Sequence, residues 1–405
     1  MLKSLSFYTM ISIISATLGF ASILYLSNLL LPEDFAYIGI YGTVVYILAP
    51  LVSFNTVGLV AINIIDYEKD KYQIFINNYL TFIIFTSLFL FIIGCIMYLL
   101  NIAYIQVIIM SYLIAITLVL ITIHNSELIQ NKEIKLFGFY KILLAITNIL
   151  SIYLFVDLID LSWIGRLIGL FASNIIILIL MYIISYESIH KYHFSFEVNE
   201  YKKYLKYGFP LIVGLGASWM ITQMDKYIVL YYFTMKDLGY YSFGYTIGMS
   251  FVIINQSLVN AISPKIYKIL KDGIGKKIIY KYSLYYNIFI IAVVLLAILL
   301  IKNFGYLVLN LEYMNSINII ILIMIASALD GMYRVYGLVI NYYKENTLRT
   351  KIDYFIVVIN ILFSILLIPY YHVLAPAIGT IIAYFLGFLI SKYYAQKILV
   401  KKGVR

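Results

Sequence analysis

The chain has 405 residues, 63% of them hydrophobic and only 12% charged, and its 29 Lys and Arg against 19 Asp and Glu give a formal net charge of +10. A soluble globular protein carries roughly twice that charged fraction. Together with a mean hydropathy of +0.96, the composition therefore excludes a water-soluble domain and points to an all-α polytopic membrane protein. Excess positive charge on a soluble chain would suggest nucleic acid. Here Lys and Arg lie between apolar runs, where the positive-inside rule and anionic lipid headgroups account for them, so no nucleic-acid partner is expected.

A helix crossing a bilayer core of roughly 30 Å needs on the order of 20 apolar residues. That rule marks twelve spans: 5–31, 38–63, 79–100, 102–123, 137–156, 163–186, 207–233, 239–262, 283–301, 317–342, 352–370 and 374–396. The first begins like a secretory signal, with Lys3 before an apolar stretch, but it runs on to Leu31 without a small-x-small cleavage site and reads as a transmembrane helix. A tight turn near Asn101 separates the third span from the fourth. The third contains the single cysteine, Cys95, which cannot form an intramolecular disulfide and reads as a buried small hydrophobe. After the sixth span, His190 and His193 stand in the string HKYH among Lys and Glu, a polar linker in preference to a metal site. Neither CxxC nor HExxH occurs, so no metal, cofactor or catalytic residue is expected.

With the N-terminus in the cytoplasm, 24 of the 29 Lys and Arg fall on the cytoplasmic side. Lys236 and Lys302 fall on the other side and Arg166, Lys226 and Arg334 inside spans, with Lys141 and Lys392, near the cytoplasmic ends of their spans, counted as cytoplasmic. This division predicts that both termini are cytoplasmic. The most basic connector, SPKIYKILKDGIGKKIIYKY, reads either as a topology determinant against anionic lipid or as a contact for an acidic substrate headgroup. No outer connector exceeds about fifteen residues on this count, in contrast to the long loops of membrane polymerases and acyltransferases, so an enzyme is not expected.

The segment LLPEDFAYIGIYGTVVY, from Leu30 to Tyr46, overlays FTMKDLGYYSFGYTIGM, from Phe233 to Met249, at an offset of 203 residues. Asp34 meets Asp237, Ala36 meets Gly239, Tyr37 meets Tyr240 and Thr43 meets Thr246. Half of twelve is even, so both halves enter the membrane in the same direction, as two six-helix bundles, 1–200 and 201–405, related by a parallel repeat.

An uncompensated charge near the middle of a membrane helix is disfavoured by roughly 3 kcal/mol and should face protein or water. In the seventh span Trp219, Gln223, Lys226 and Leu230 share one helical face, with Asp225 beside it. Lys226 lies about 28 Å along the helix from residue 207 at 1.5 Å per residue. Asp225 and Lys226 point about 100° apart, so separate partners are expected. In the tenth span Asp330 and Arg334 are four apart and can pair along one face, either as a self-neutralising structural pair or as pathway lining. Arg166, only a few residues into the sixth span, can snorkel to the outer interface or line a pathway.

Two strings carry a family resemblance: GFASILYLSNLLLPEDFAYIGIYGTVVYILAPLVSF, from Gly19 to Phe54, and GFPLIVGLGASWMITQMDKYIVLYYFTMKDLGYYSFGY, from Gly208 to Tyr245. They resemble the first-half and second-half signatures of Wzx-type O-antigen and capsule-repeat flippases, in the polysaccharide-transporter branch of the MATE-like MOP superfamily. Ala36 stands where the first-half loop more often has Gly, and Asn55-Thr56-Val57 interrupts a region usually richer in small residues. The resemblance implies a V-shaped pair of bundles around a central cationic cavity. It also implies a bacterial inner-membrane flippase that carries undecaprenyl-pyrophosphate-linked oligosaccharide to the outer leaflet by alternating access. The expected partners are that lipid-linked substrate, membrane lipids, and an O-antigen polymerase and chain-length regulator. On this reading Lys226, Arg334 and Arg166 attract pyrophosphate or anionic sugars, Gln223 lines the pathway, and Trp219 and Tyr333 stack on sugar rings. Asp225 or Asp330 would couple transport to a proton or sodium gradient. A cation-coupled small-molecule exporter of the same superfamily is the nearest alternative.

Overall fold

A computed structural model describes residues 2–184, 193–273 and 276–402. Helices account for nearly all of it: α1 Leu2–Leu29, α2 Pro32–Val52, α3 Gly58–Asp66, α4 Lys69–Leu99, α5 Ile105–Gln130, α6 Ile134–Ile152, α7 Ser162–Ile184, α8 Val198–Tyr232, α9 Met235–Met249, α10 Phe251–Asp272, α11 Lys276–Val308, α12 Ile317–Tyr342, α13 Asn346–Leu366, α14 Ile368–Tyr371 and α15 Ala375–Lys401. Every one of the twelve predicted spans falls on a long helix or a broken pair. Among the described residues nine helices are long and apolar enough to cross a membrane, and α1, α8 and α13 complete the twelve. The second span breaks into α2 and α3 where Phe54 (φ 50°) and Asn55 (φ 55°) turn left-handed, and the eighth into α9 and α10 at Ser250.

The internal repeat reappears in the helix ends. α1 ends at Leu29 and α8 at Tyr232, while α2 begins at Pro32 and α9 at Met235, each pair 203 apart. Local chemistry sets both starts. Pro32 occupies the first helical position, with Glu33 and Asp34 in the first turn against the positive end of the helix dipole. At α9, Thr234 and Asp237 form a capping box, with the Thr234 hydroxyl donating to Asp237 Oδ2 at 2.7 Å. The predicted turn between α4 and α5 is closed by Asn101 at φ 52°, a conformation that asparagine tolerates better than most residues.

The chain forms two compact units, Met1–Leu30 with Tyr37–Gly216, and Leu31–Ala36 with Ala217–Arg405. The division thus falls inside α8, where the expected boundary lay after residue 200, and the first turn of α2 belongs to the second unit. In the first unit, Tyr72, Phe75, Tyr79 and Phe82 of α4 build an aromatic core with Tyr204. A second core joins Ile11, Ile121, Tyr140 and Ile177. A buried polar pair also links α7 to α5 in this unit: Asn174 Nδ2 donates to Thr117 Oγ1 at 2.8 Å. Thr117→Val removes that acceptor and is expected to destabilise the unit by about 1–2 kcal/mol. The readout is a lower unfolding midpoint in detergent; an unchanged midpoint would mean the amide finds another partner.

In the second unit α12 is central, flanked by α9, α10, α11, α13 and α15. It is apolar around most of its circumference, as a helix enclosed by others must be. α4 and α11 instead expose long apolar rows such as Leu88, Phe89, Ile92, Leu295 and Leu299, the surface expected to meet lipid. Cys95 lies on such a surface and is exposed, which corrects the expectation that it is buried. Around a membrane protein, the solvent for an apolar face is hydrocarbon, so apolarity alone does not imply an interior position.

Candidate functional site

The seventh-span charges are held by the lower-exposure side of α8 within the second unit. Asp225 is fully buried and Lys226 is 8% exposed, and the two side chains take different partners, as their 100° separation requires. Lys226 Nζ donates to Gln223 Oε1 at 3.1 Å, one turn back on the helix, and lies 5.0 Å from the centroid of the Tyr245 ring. A desolvated ammonium gains from both contacts: the amide oxygen accepts a hydrogen bond and the ring face offers negative potential.

Asp225 is embraced by three other helices. Tyr241 of α9 donates to Asp225 Oδ2 at 2.9 Å, and Thr380 of α15 donates to the same oxygen at 2.7 Å. Asn360 of α13 donates its amide to Thr380 Oγ1 at 2.8 Å, and the same hydroxyl also reaches Pro376 O at 2.9 Å. Asp225 Oδ1 and Asn360 Oδ1 are buried without a hydrogen-bond partner, as is Ser364 Oγ one turn beyond Asn360. Gly379 makes this convergence possible: a Cβ there would lie 2.6 Å from Ser364 Oγ and 2.8 Å from its backbone nitrogen. α13 and α15 therefore approach at backbone distance, and a carboxylate, amide and hydroxyl gather with acceptor oxygens to spare. Such an oxygen-rich set suits a proton or a hard monovalent cation. At the repeat offset of 203, the first-half counterpart of Asp225 is Ser22, whose hydroxyl donates to Leu18 O at 2.9 Å, so only the second unit carries the acid.

The tenth-span pair is closed. Arg334 Nε donates to Asp330 Oδ2 at 2.7 Å, with Asp330 buried and the Arg334 side chain 39% exposed. Asp330 is thus compensated on its own helix, and Arg334 keeps part of its guanidinium accessible. Tyr333, next to it, is buried. Arg349 lies 3.9 Å from its ring centroid and its hydroxyl donates to Asp353, so a ring predicted to stack on sugar is covered by a guanidinium. Trp219 is half-buried, with its ring 5.5 Å from that of Tyr227. Arg166 belongs to the first unit, half-buried with one terminal nitrogen unpartnered. His190 lies outside the described residues, and His193 is exposed.

The structure therefore assembles Gln223, Asp225 and Lys226 with Tyr241, Tyr245, Asn360 and Thr380. Sequence reasoning named the first three as site residues and not Asn360. Tyr241, Tyr245 and Thr380 carried no signal beyond their place in the repeat and after a glycine.

Comparison with known proteins agrees with this architecture. A family model described as polysaccharide biosynthesis protein matches residues 1–270. The capsular polysaccharide biosynthesis protein CapF of Staphylococcus aureus is 26% identical over 411 residues, covering 98% of this chain and 99% of that one. "Lsg locus putative protein 1" of Haemophilus influenzae is 23% identical over 240 residues, covering 56% of this chain; the match spans 59% of the length of that relative. Among solved structures, the lipid II flippase MurJ in an inward closed conformation aligns with a TM-score of 0.71 at 16% identity, over 98% of this chain and 89% of that one. An inward-facing multidrug resistance MATE family transporter of the MOP superfamily aligns at 0.67 and 14%, over 95% of both chains. At such identities these structures speak for the fold, and the family model, matching two thirds of the chain, speaks for descent: the protein is a multi-pass membrane member of the polysaccharide biosynthesis protein family with a MATE-like fold.

Proposed function

We propose that the protein is a flippase that moves undecaprenyl-pyrophosphate-linked oligosaccharide, an O-antigen or capsule repeat unit, from the cytoplasmic to the outer leaflet of a bacterial plasma membrane by alternating access. A sugar headgroup and pyrophosphate cannot cross hydrocarbon unaided, because each unsatisfied polar group costs several kcal/mol there. A protein that lowers this barrier must hold cations at membrane depth. The observation that carries the reading is Lys226, a desolvated ammonium in the last two turns of α8 held by one amide and one ring, in a chain of a polysaccharide biosynthesis family. Arg334, half-exposed beside Asp330, and Arg166 supply further positive charge. Gln223 orients Lys226, and Trp219 offers an aromatic face for sugar.

Asp225 is the coupling carboxylate of this proposal, in preference to Asp330, because Asp330 already has a cationic partner while one oxygen of Asp225 has none. A proton on Oδ1, or a sodium ion shared with the spare oxygens of Asn360 and Ser364, would neutralise the buried charge. Both termini are cytoplasmic in this scheme, and an O-antigen polymerase and chain-length regulator act on the product.

The test is leaflet accessibility of undecaprenyl-linked oligosaccharide in inverted vesicles. Lys226→Ala is expected to slow transfer about 100-fold and Lys226→Arg to retain a substantial part, since a charge-assisted contact to phosphate contributes roughly 1.5–3 kcal/mol. Normal transfer by both variants would remove the lysine from the phosphate site. The Asp225 cluster also suits a cation-coupled exporter of small molecules, which the MATE neighbours keep in view. Under that reading no lipid-linked sugar is moved, and deletion broadly alters drug sensitivity.

A further inference from the structure

The second unit contains a cavity of about 920 Å³ that the proposed pathway does not use. It lies where the beginning of α11 meets the ends of α12 and α15, and its wall includes Tyr280 and Asn287 of α11, Tyr336 of α12, and Lys392, Lys397 and Lys401 of α15. Three lysines thus line one space, and none of the side chains lining it is acidic. Asn287 Oδ1 is buried there without a hydrogen-bond partner. Like charges held together beside a low-dielectric wall repel unless an anion sits among them.

The other side of the cavity is apolar and open. Leu284 lines it and is 56% exposed. Four and eleven residues further along α11, Ile288 and Leu295 are 57% and 56% exposed, and spacings of four and seven set them in one row on the helix surface. A cationic cavity that continues into a hydrocarbon-facing row has the two halves of an anionic lipid: headgroup and chain.

We propose that this cavity binds the phosphate headgroup of an anionic membrane lipid, with Lys392, Lys397 and Lys401 around the phosphate and an acyl or prenyl chain along Leu284, Ile288 and Leu295. Tyr280 and Tyr336 supply hydroxyls at the headgroup. With the termini cytoplasmic, as proposed above, the cavity opens to the cytoplasmic leaflet, and only that assignment rests on the proposed topology. The phosphate has two sources, a resident glycerophospholipid or a polyprenyl phosphate related to the proposed substrate.

The experiment is native mass spectrometry of the full-length protein in detergent, titrated with phosphatidylglycerol, with phosphatidylcholine of the same chains, and with undecaprenyl phosphate. Wild-type protein is expected to retain phosphatidylglycerol over phosphatidylcholine. The triple variant Lys392→Gln, Lys397→Gln, Lys401→Gln should bind phosphatidylglycerol about 100-fold more weakly, and the triple Lys→Arg variant should bind it normally. Equal retention of the two phospholipids, or unchanged binding by the triple Gln variant, overturns the site. Displacement of phosphatidylglycerol by equimolar undecaprenyl phosphate identifies the polyprenyl source, and its persistence identifies the resident lipid. If the triple variant is not monodisperse, Lys397→Gln and Lys401→Gln, both at exposed positions, are read singly, each with an expected weakening of about fivefold. The Lys226 vesicle assay is independent of this measurement, so either reading can fail without the other.

Discussion

Asp225→Asn is expected to reduce gradient-driven transfer by about 100-fold or more while leaving the protein as stable as the wild type, or more so. The substitution keeps the size of the side chain and an oxygen to accept from Tyr241 and Thr380. What it removes is the negative charge, and with it the capacity of Oδ1 to take up a proton or a sodium ion. A buried carboxylate that receives hydroxyl donors but makes no salt bridge, with only the coulombic influence of neighbouring Lys226, carries a desolvation cost that a neutral isostere does not, so the folded state should not suffer. The effect on transport is large because coupling requires the ion to discriminate between two states, and a site that binds neither form of the ion discriminates nothing. Two measurements together decide the matter: transfer in inverted vesicles under an imposed proton or sodium gradient, and the unfolding midpoint in detergent. Transport lost with stability retained identifies a coupling group. Transport retained with the same ion dependence excludes Asp225 from coupling, and both lost together would make it a structural acceptor for α9 and α15.

Gly239→Ala is expected to be the most damaging single methyl group that can be added to the second unit. A Cβ at Gly239 would overlap the carbonyl oxygen and carbonyl carbon of Pro32. The obstacle is backbone, at the first helical position of α2, so it cannot rotate aside like a flexible side chain. Both helix starts are also pinned, α9 by its capping box and α2 by proline and the contact of Phe35 with Phe243 and Tyr313 at ring separations of 5.4 and 5.8 Å. Overpacking of this kind costs about 3 kcal/mol or more when the neighbour cannot relax. The check is the yield of monodisperse protein and its unfolding midpoint, beside Gly216→Ala, where nothing lies within 4 Å of the added carbon. Equal behaviour of the two variants would mean that the α2 start moves freely.

The repeat at offset 203 shows how far sequence pattern reached. Aspartates at 34 and 237 and tyrosines at 37 and 240 suggested two equivalent helix starts, and the helix ends and starts then fell at the same spacing. Dipole, proline and capping chemistry act within one turn, so they are written locally. The Asp330 and Arg334 pair was legible for the same reason, since residues four apart on a helix are neighbours wherever that helix goes. The departures noted near residue 55 acquire a reason only in three dimensions: Thr56 is buried, with its hydroxyl donating to Ser53 O at 2.6 Å and lying 3.1 Å from the Tyr79 hydroxyl.

Sequence alone determined that the chain spans a membrane many times, that it does so in two similar halves, and that Asp225 and Lys226 stand where a charge needs a reason. Each of these follows from hydropathy, period and the cost of burying charge, which depend on composition and short spacings. Tertiary structure decided which partners those charges have. Tyr241 is 16 residues from Asp225 and Thr380 is 155, and no periodicity links positions so far apart. It also decided that Tyr333 is covered by Arg349 and that Cys95 faces outward. In hydrocarbon, an apolar side chain is at ease on either side of a helix, so only packing, through contacts such as the backbone-close approach at Gly379, chooses the face that becomes a site.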